Sequence, residues 1–240
     1  MIELNNFSIG YNHRKLLNDV TANFPQGKLT SLIGRNGTGK STLLRALCGL
    51  NYSYEGEIII NCENLRNISR KKLASLIAYV NTQRPRMDNL KCRDVVALGR
   101  SPYTNWYGGL SSEDKEEITK AMAKVGMLEF ENRSFNSLSD GESQKVMIAR
   151  AIVQNTNIIL LDEPTSFLDL PTRYELANIL KQLTLQENKT IIFSTHELDI
   201  ALRFSDYVAL IDKGELYILP ASEMKESALL RSTFPDLPVF

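Results

Sequence analysis

The sequence predicts an α/β protein with a core sheet of mainly parallel strands, a small antiparallel sheet at its amino terminus and an inserted helical region. Short apolar or β-branched runs alternate with helical patterns, which is typical of parallel sheets covered by helices. The first thirty residues instead follow a two-residue apolar rhythm, as at Ile2 and Leu4. Strand-like runs are absent from about 84 to 154. We therefore expect one domain spanning 1–240, with a helical subdomain inserted at about 84–154.

The individual elements follow from the same patterns. Predicted strands cover 29–33, 58–60, 77–80, 158–161, 190–194 and 207–211. Predicted helices cover 41–47, 171–186 and 198–204. Within the helical region, Ser111 and the acidic residues after it predict a helix start, and a second helix is expected over 141–154.

Residues 34–41, Gly-Arg-Asn-Gly-Thr-Gly-Lys-Ser, fit the phosphate-loop pattern G-x-x-x-x-G-K-[ST] between a predicted strand and a predicted helix. Glycines let backbone N–H groups approach phosphate oxygens, Lys40 supplies a cation, and the Ser41 hydroxyl can bind Mg²⁺. A chance glycine-rich turn is the alternative, but the pattern arises in roughly 1% of chains this long. The nucleotide-binding residues predicted here are Gly34, Arg35, Asn36, Gly37, Thr38, Gly39, Lys40, Ser41 and Thr42.

Two carboxylates follow the apolar run 158–161, namely Asp162 and Glu163. A buried parallel strand delivers its carboxyl end to the ligand crevice. There Asp162 can hold Mg²⁺, and Glu163 can orient or deprotonate an attacking water. Two acids at a strand end are more often solvated turn residues, but the neighbouring phosphate loop favours a hydrolytic site.

The composition narrows the choice of partner and compartment. Lys plus Arg equals Asp plus Glu at 28 each, so no basic excess suggests a nucleic-acid partner. The chain start lacks a secretory pattern, and the longest apolar runs are too short to span a bilayer. We therefore expect a cytoplasmic protein that acts on a membrane only through a partner.

The segment Leu-Ser-Asp-Gly-Glu at 138–142, followed by Ala-Arg-Ala at 149–151, resembles the signature motif of ABC ATPases, usually Leu-Ser-Gly-Gly-Gln. A plain helix start capped by Ser139 or Asp140 would also explain it. Three single residues match the family in the same order: Tyr11, Gln83 and His196. Each alone would be unremarkable, but together the motifs cover nearly the whole chain. By this resemblance the chain is identified as a member of the ABC transporter ATPases.

The resemblance implies the ABC ATPase fold, a P-loop NTPase core, and a head-to-tail dimer with ATP and Mg²⁺ between the phosphate loop of one copy and the signature of the other. It also implies integral membrane permease subunits, an extracytoplasmic substrate-binding protein, and a location at the cytoplasmic face of the membrane. It assigns catalysis to Lys40, Glu163 and His196. It adds Tyr11, which would stack on adenine, and Gln83, Ser139, Gly141 and Asp169 to the ATP site. It assigns the metal to Ser41, Gln83 and Asp162.

Two departures and one further match refine the expectation. Asp140 replaces a glycine near the expected phosphate, and Phe167 replaces a small residue beside Asp169. The Gly-Arg-Ser-Pro run at 99–102 resembles a stretch of the ATPases that serve iron–siderophore, haem and cobalamin importers, where it is expected to face a permease. A simple turn around the proline is its alternative. Another cargo, an exporter, a soluble ABC ATPase and a nucleotide-binding regulator that does not turn over remain the rival interpretations.

Overall fold

The computed structural model describes residues 1–11, 14–82, 85–104 and 109–235. The strands, in chain order, are β1 Ile2–Tyr11, β2 Arg14–Phe24, β3 Leu29–Gly34, β4 Tyr54–Ile60, β5 Glu63–Asn64, β6 Ile77–Val80, β7 Ile158–Leu161, β8 Thr190–Ser194, β9 Tyr207–Asp212 and β10 Glu215–Pro220. The α-helices are α1 Lys40–Leu47, α2 Arg70–Leu76, α3 Cys92–Ala97, α4 Ser112–Lys124, α5 Asp140–Val153, α6 Leu170–Glu187, α7 Leu198–Phe204, α8 Ala221–Glu226 and α9 Ala228–Thr233.

The core sheet has the order β10-β9-β3-β8-β7-β6, and all its pairings are parallel except that of β10 with β9. Every residue of β3, β7 and β8 is buried. These strands lie inside the sheet and are covered on both faces, which explains why their sequences are continuous apolar or β-branched runs. The predicted core of mainly parallel strands is confirmed.

A second sheet has the order β2-β1-β4-β5 and is antiparallel throughout. It confirms the antiparallel sheet predicted at the amino terminus. The run 58–60 belongs here and not to the parallel core, because it forms the end of β4 and pairs with the start of β1. Glu55 and Glu57 lie earlier in β4 and are exposed, as expected for a sheet with one face in solvent.

The core sheet contributes to three apolar clusters, one of which joins Val208 and Leu210 of β9 to α7, α8 and α9. One face packs against α3, α4, α5 and α6 through residues such as Val95, Met122 and Leu176. The other face packs against α1 and the antiparallel sheet through residues such as Leu43 and Phe7. The sheet is therefore held from both sides, and only its strand ends and edges remain open for other contacts.

The chain between β6 and β7 contains α3, α4 and α5, as the absence of strand patterns predicted. Ser111 caps α4: its Oγ accepts a hydrogen bond from the Asp114 amide, while the Asp114 carboxylate accepts one from the Ser111 amide. The apolar residues Ile118 and Met122 of α4 face the core. No helix in the described part of the chain is long and apolar enough to cross a membrane.

Candidate active site

Three neighbouring strands end at the same edge of the core sheet. β3 runs into the phosphate loop, β7 into Asp162 and Glu163, and β8 into Thr195 and His196. β8 lies between the other two, and all three are parallel. Segments far apart in the sequence therefore meet because the carboxyl ends of parallel strands point to one crevice.

Lys40 lies near the end of the phosphate loop and is the first residue of α1. Its side chain is buried, and its Nζ donates to the carbonyl oxygens of Gly34 at 2.9 Å and Arg35 at 3.3 Å. Burial lowers the pKa of Lys40 from its usual value, while the charges of Glu163 and Asp162 act in the opposite direction. The ammonium group thus donates to two neutral carbonyl oxygens of the loop. A bound phosphate would offer it an anionic acceptor, and such charge-assisted hydrogen bonds are stronger than those to neutral groups.

Glycine at two loop positions is required by backbone geometry. Gly39 precedes α1 with φ of 107°, and Gly37 has φ of 75°, both in the left-handed region that favours glycine. A Cβ at Gly39 would also lie 3.0 Å from Cβ of Leu16 in β2. The loop can therefore turn its N–H groups towards a ligand at the start of α1.

Asp162 is 2% exposed and is held by hydroxyl groups from three elements. Its Oδ1 accepts hydrogen bonds from Ser41 Oγ and Ser194 Oγ, each at 2.8 Å. Thr82 Oγ1 donates to its backbone oxygen at 2.9 Å. The predicted metal residues Ser41 and Asp162 are thus in direct contact, and a hydroxyl with a carboxylate is a suitable oxygen pair for Mg²⁺.

Glu163 is the next residue and turns into the pocket with φ of 48°. Its Oε1 lies 2.6 Å from Nε2 of His196, and its Oε2 accepts a hydrogen bond from Ser166 Oγ at 3.0 Å. Its backbone N–H donates to Ser194 Oγ at 2.8 Å. An ionised carboxylate only accepts, so His196 carries its proton on Nε2 in this pairing. The carboxylate is held by two side chains and remains available as a proton acceptor.

One pocket of about 330 Å³ is lined by the phosphate loop, Glu163 and His196, and it reaches Asp162 through its hydrogen-bond partner Ser41. Its volume lies at the lower end of the usual range for ligand pockets. Tyr11, at the end of β1, is 66% exposed and lines the pocket, so it is not a core residue of the sheet. Leu16 also lines it and was missed by the sequence analysis, because one apolar residue on a strand carries no motif. The lining residues are Tyr11, Leu16, Asn36, Gly37, Gly39, Lys40, Ser41, Thr42, Glu163 and His196.

Other predicted site residues lie outside this pocket. Ser139 caps α5, its Oγ accepting from the Glu142 amide while the Glu142 carboxylate accepts from Ser139. Gly141 packs so closely on α6 that a Cβ there would lie 2.9 Å from Thr172 Cγ2. Asp169 is exposed at the start of α6. Ser139, Gly141 and Asp169 therefore form a separate surface of the same chain, and Gln83 lies outside the described residues.

Phe167 belongs to the same surface. It precedes Asp169, is 87% exposed and has φ of 66°. The adjacent Leu170 is 59% exposed. The substitution of a small residue by Phe167 thus adds an exposed aromatic ring next to Asp169.

A groove of about 850 Å³ is lined by residues that follow α1 and by residues of α2, β6 and α5. The phenol of Tyr79 lines it and also lies 3.5 Å from Oδ2 of Asp162. Burial raises the pKa of Tyr79 to about 12, with a further contribution from Asp162. The Tyr79 side chain thus reaches from the groove to the Asp162 carboxylate. Its apolar and aromatic lining includes Leu50, Tyr52, Tyr79, Pro85, Met87 and Met147.

Within the Gly-Arg-Ser-Pro run, Gly99 and Arg100 turn inwards, whereas Ser101 is exposed and Pro102 is half-buried. Arg100 is 12% exposed in its side chain and donates to Asp114 Oδ1 at 2.7 Å and to the Val153 carbonyl at 3.0 Å. Gly99 is buried against the Arg150 carbonyl. Arg100 thus links α4 to the end of α5, and the exposed side chains that flank the run include Leu98 (47% exposed) and Tyr103 (44% exposed).

The chain is similar to proteins of one family. A family model described as "ABC transporter" matches residues 17–166. The iron(3+)-hydroxamate import ATP-binding protein FhuC of Bacillus subtilis is 34% identical over 95% of this chain and 82% of that protein. A metal-chelate type ABC transporter in an inward-facing conformation gives a TM-score of 0.85 at 26% identity, over 98% of this chain and 88% of that one. A dimeric ATP-binding cassette, MJ0796, bound to ADP and Pi after hydrolysis, gives 0.80 at 27% identity, over 92% and 99%.

Proposed function

Because the chain belongs to the ABC transporter ATP-binding family, we propose that it hydrolyses ATP to power import of a metal chelate through a separate permease. The observation that carries this proposal is the meeting of the phosphate loop, the acidic pair and His196 at three adjacent strand ends around one pocket. A site that only bound nucleotide would not need Glu163 held beside the pocket by His196 and Ser166.

In the proposed reaction, backbone N–H groups of the loop and Lys40 bind the phosphates of ATP, and Tyr11 stacks on the adenine. Ser41 and Asp162 hold Mg²⁺, with Gln83 as the further metal residue expected from the family. The bound cation would neutralise charge that develops on the phosphates. Glu163 accepts a proton from the attacking water, and His196 keeps the Glu163 carboxylate oriented.

The other half of the ATP site is proposed to come from a second copy. Ser139 and Asp169 are exposed, Gly141 is half-buried, and none of the three lines the chain's own pocket, which supports their use in trans. A helix start such as that of α5 favours an anion, so it suits the γ-phosphate of a nucleotide held by the partner. The dimeric state of the MJ0796 cassette supports an assembly of two copies.

The groove beside β6 and α5 is proposed as the docking site of the permease, at the cytoplasmic face of the membrane. Its apolar and aromatic lining suits an amphipathic segment. An extracytoplasmic substrate-binding protein would complete the system. FhuC serves iron(3+)-hydroxamate import, and the neighbouring transporter structure is of the metal-chelate type, so a metal chelate is the proposed cargo.

The test starts from the native cells. The tagged chain should co-purify with an integral membrane protein, and vesicles holding that complex should take up a labelled ferric hydroxamate, haem or cobalamin only with ATP and Mg²⁺. The Lys40→Ala complex serves as the control that assembles without powering uptake. Uptake of all three chelates at the Lys40→Ala level, by an assembled complex that hydrolyses ATP, would refute metal-chelate import.

A further inference from the structure

Ser194 is a buried hydroxyl to which no role has yet been assigned. It is the last residue of β8, it is 0% exposed, and the three residues before it are the apolar Ile191, Ile192 and Phe193. A polar residue in such a place costs stability unless its hydrogen-bonding capacity is used. The Ser194 hydroxyl both donates and accepts a hydrogen bond, and both of its partners lie in the active site.

The Ser194 hydroxyl connects the two carboxylate residues. It donates to Oδ1 of Asp162 and accepts from the backbone N–H of Glu163, each at 2.8 Å. Ser41 binds the same Asp162 oxygen from the phosphate loop, but only Ser194 is bonded to both acidic residues among the hydrogen bonds of the described chain. The position of the Asp162 carboxylate relative to the Glu163 backbone therefore depends on a residue from a neighbouring strand.

The backbone of Glu163 adds a reason for this support. Its φ of 48° lies in the left-handed region, which residues other than glycine adopt at a cost. The hydrogen bond from its N–H to Ser194 stabilises this conformation. The same conformation turns the Glu163 side chain towards His196 while the preceding Asp162 side chain points towards Ser41. Two consecutive residues thus face two different partners.

We propose that Ser194 is a positioning residue, which fixes the metal-binding carboxylate of Asp162 relative to the proton-accepting carboxylate of Glu163. The inference rests on the roles proposed for those two residues. It assigns to Ser194 no contact with ATP. Loss of its hydroxyl should therefore affect cation binding and turnover more than ATP binding.

The chain offers a matched control for the test. Ser31 lies in the adjacent strand β3, is also 0% exposed, and its Oγ has no hydrogen-bond partner among the described residues. Ser194→Ala and Ser31→Ala each delete one buried hydroxyl from the core sheet. We expect kcat for ATP to fall about tenfold or more in Ser194→Ala, with KM for ATP within about twofold, because two hydrogen bonds at the acidic pair are lost. Ser31→Ala should keep both constants.

A second readout does not need turnover. Mn²⁺ binding to the ADP-loaded protein, followed by electron paramagnetic resonance, should weaken about fivefold or more in Ser194→Ala and stay unchanged in Ser31→Ala. Equal kcat and equal Mn²⁺ affinity in the two alanine variants would overturn the proposal. A wild-type protein that binds Mn²⁺ and ADP but hydrolyses no ATP would instead refute the proposed function, while the Mn²⁺ comparison would still test Ser194.

A pair of variants of equal shape covers the case in which Ser194→Ala does not fold. Ser194→Thr and Ser194→Val add the same branch at the same buried point, but only the threonine keeps a hydroxyl. The threonine variant should retain at least about fivefold more kcat and tighter Mn²⁺ binding than the valine variant. Equal values for the two would overturn the positioning role, since packing alone would then explain the need for serine.

Discussion

Glu163→Gln separates proton transfer from every other property of the active site. The amide has the shape of the carboxylate, so it can keep the contacts with His196 at 2.6 Å and Ser166 at 3.0 Å. What it loses is the ability to take a proton from water. General-base catalysis contributes about 100- to 10,000-fold, or ~3–5 kcal/mol of barrier, and kcat should fall by that factor.

ATP binding should survive the same substitution. Glu163 interacts electrostatically with Lys40, and removing its negative charge leaves the ammonium freer to pair with phosphate. We therefore expect an unchanged or tighter Kd for ATP by calorimetry, and a dimer that accumulates with ATP and Mg²⁺ in size-exclusion chromatography. Glu175→Gln is the matched control, since Glu175 is a carboxylate of α6 paired with Lys145 outside the pocket. Hydrolysis at the wild-type rate in Glu163→Gln would refute the role of Glu163.

Three further substitutions test other parts of the structure. Lys40→Ala removes a charge-assisted phosphate contact and should weaken ATP binding about tenfold or more; unchanged affinity by calorimetry would contradict the loop assignment. Tyr11→Ala should raise the Kd for ATP about tenfold while Tyr11→Phe keeps it, and equal effects of the two in a fluorescent-nucleotide assay would exclude stacking. Gly99→Ala brings a Cβ within 2.2 Å of the Arg150 carbonyl oxygen and should lower the Tm by about 5 °C or more in calorimetry, without changing KM for ATP; an unchanged Tm would show that α5 can move away.

The parallel core was predictable because strands buried on both faces have continuous apolar or β-branched sequences. The predicted strands 158–161 and 190–194 match β7 and β8 to the residue. The run 58–60 was recognisable as a strand but not as a member of the antiparallel sheet, because an apolar run does not specify its pairing partner. Helices α2 and α3 were missed, since seven and six residues are too few to establish a helical period.

The site was predictable only where a residue type is fixed by its chemistry. Lys40, Ser41 and Glu163 belong to patterns whose spacing has a chemical reason, and all three line one pocket. Ser194 at the end of β8 and Thr82 just after β6 hydrogen-bond to Asp162, and their spacing along the chain carries no information about that contact. Arg100 belongs to the run expected to face a permease, and its own side chain turns inwards because of an ion pair with Asp114 that no local pattern indicates.

Tyr79 has a consequence for how surface mutations of this protein should be interpreted. The ring lines the wide groove, its hydroxyl lies 3.5 Å from Asp162, and the positive charge of Arg45 of α1 lies nearby. A screen that selects for lost partner binding would recover Tyr79 variants that also hydrolyse ATP abnormally. Leu50 and Met87 line the same groove and make no hydrogen bond to Asp162, so a genetic dissection of docking should begin with them. Effects of Tyr79 substitutions on docking and on hydrolysis therefore cannot be separated, because one side chain lines the groove and also approaches the Asp162 carboxylate.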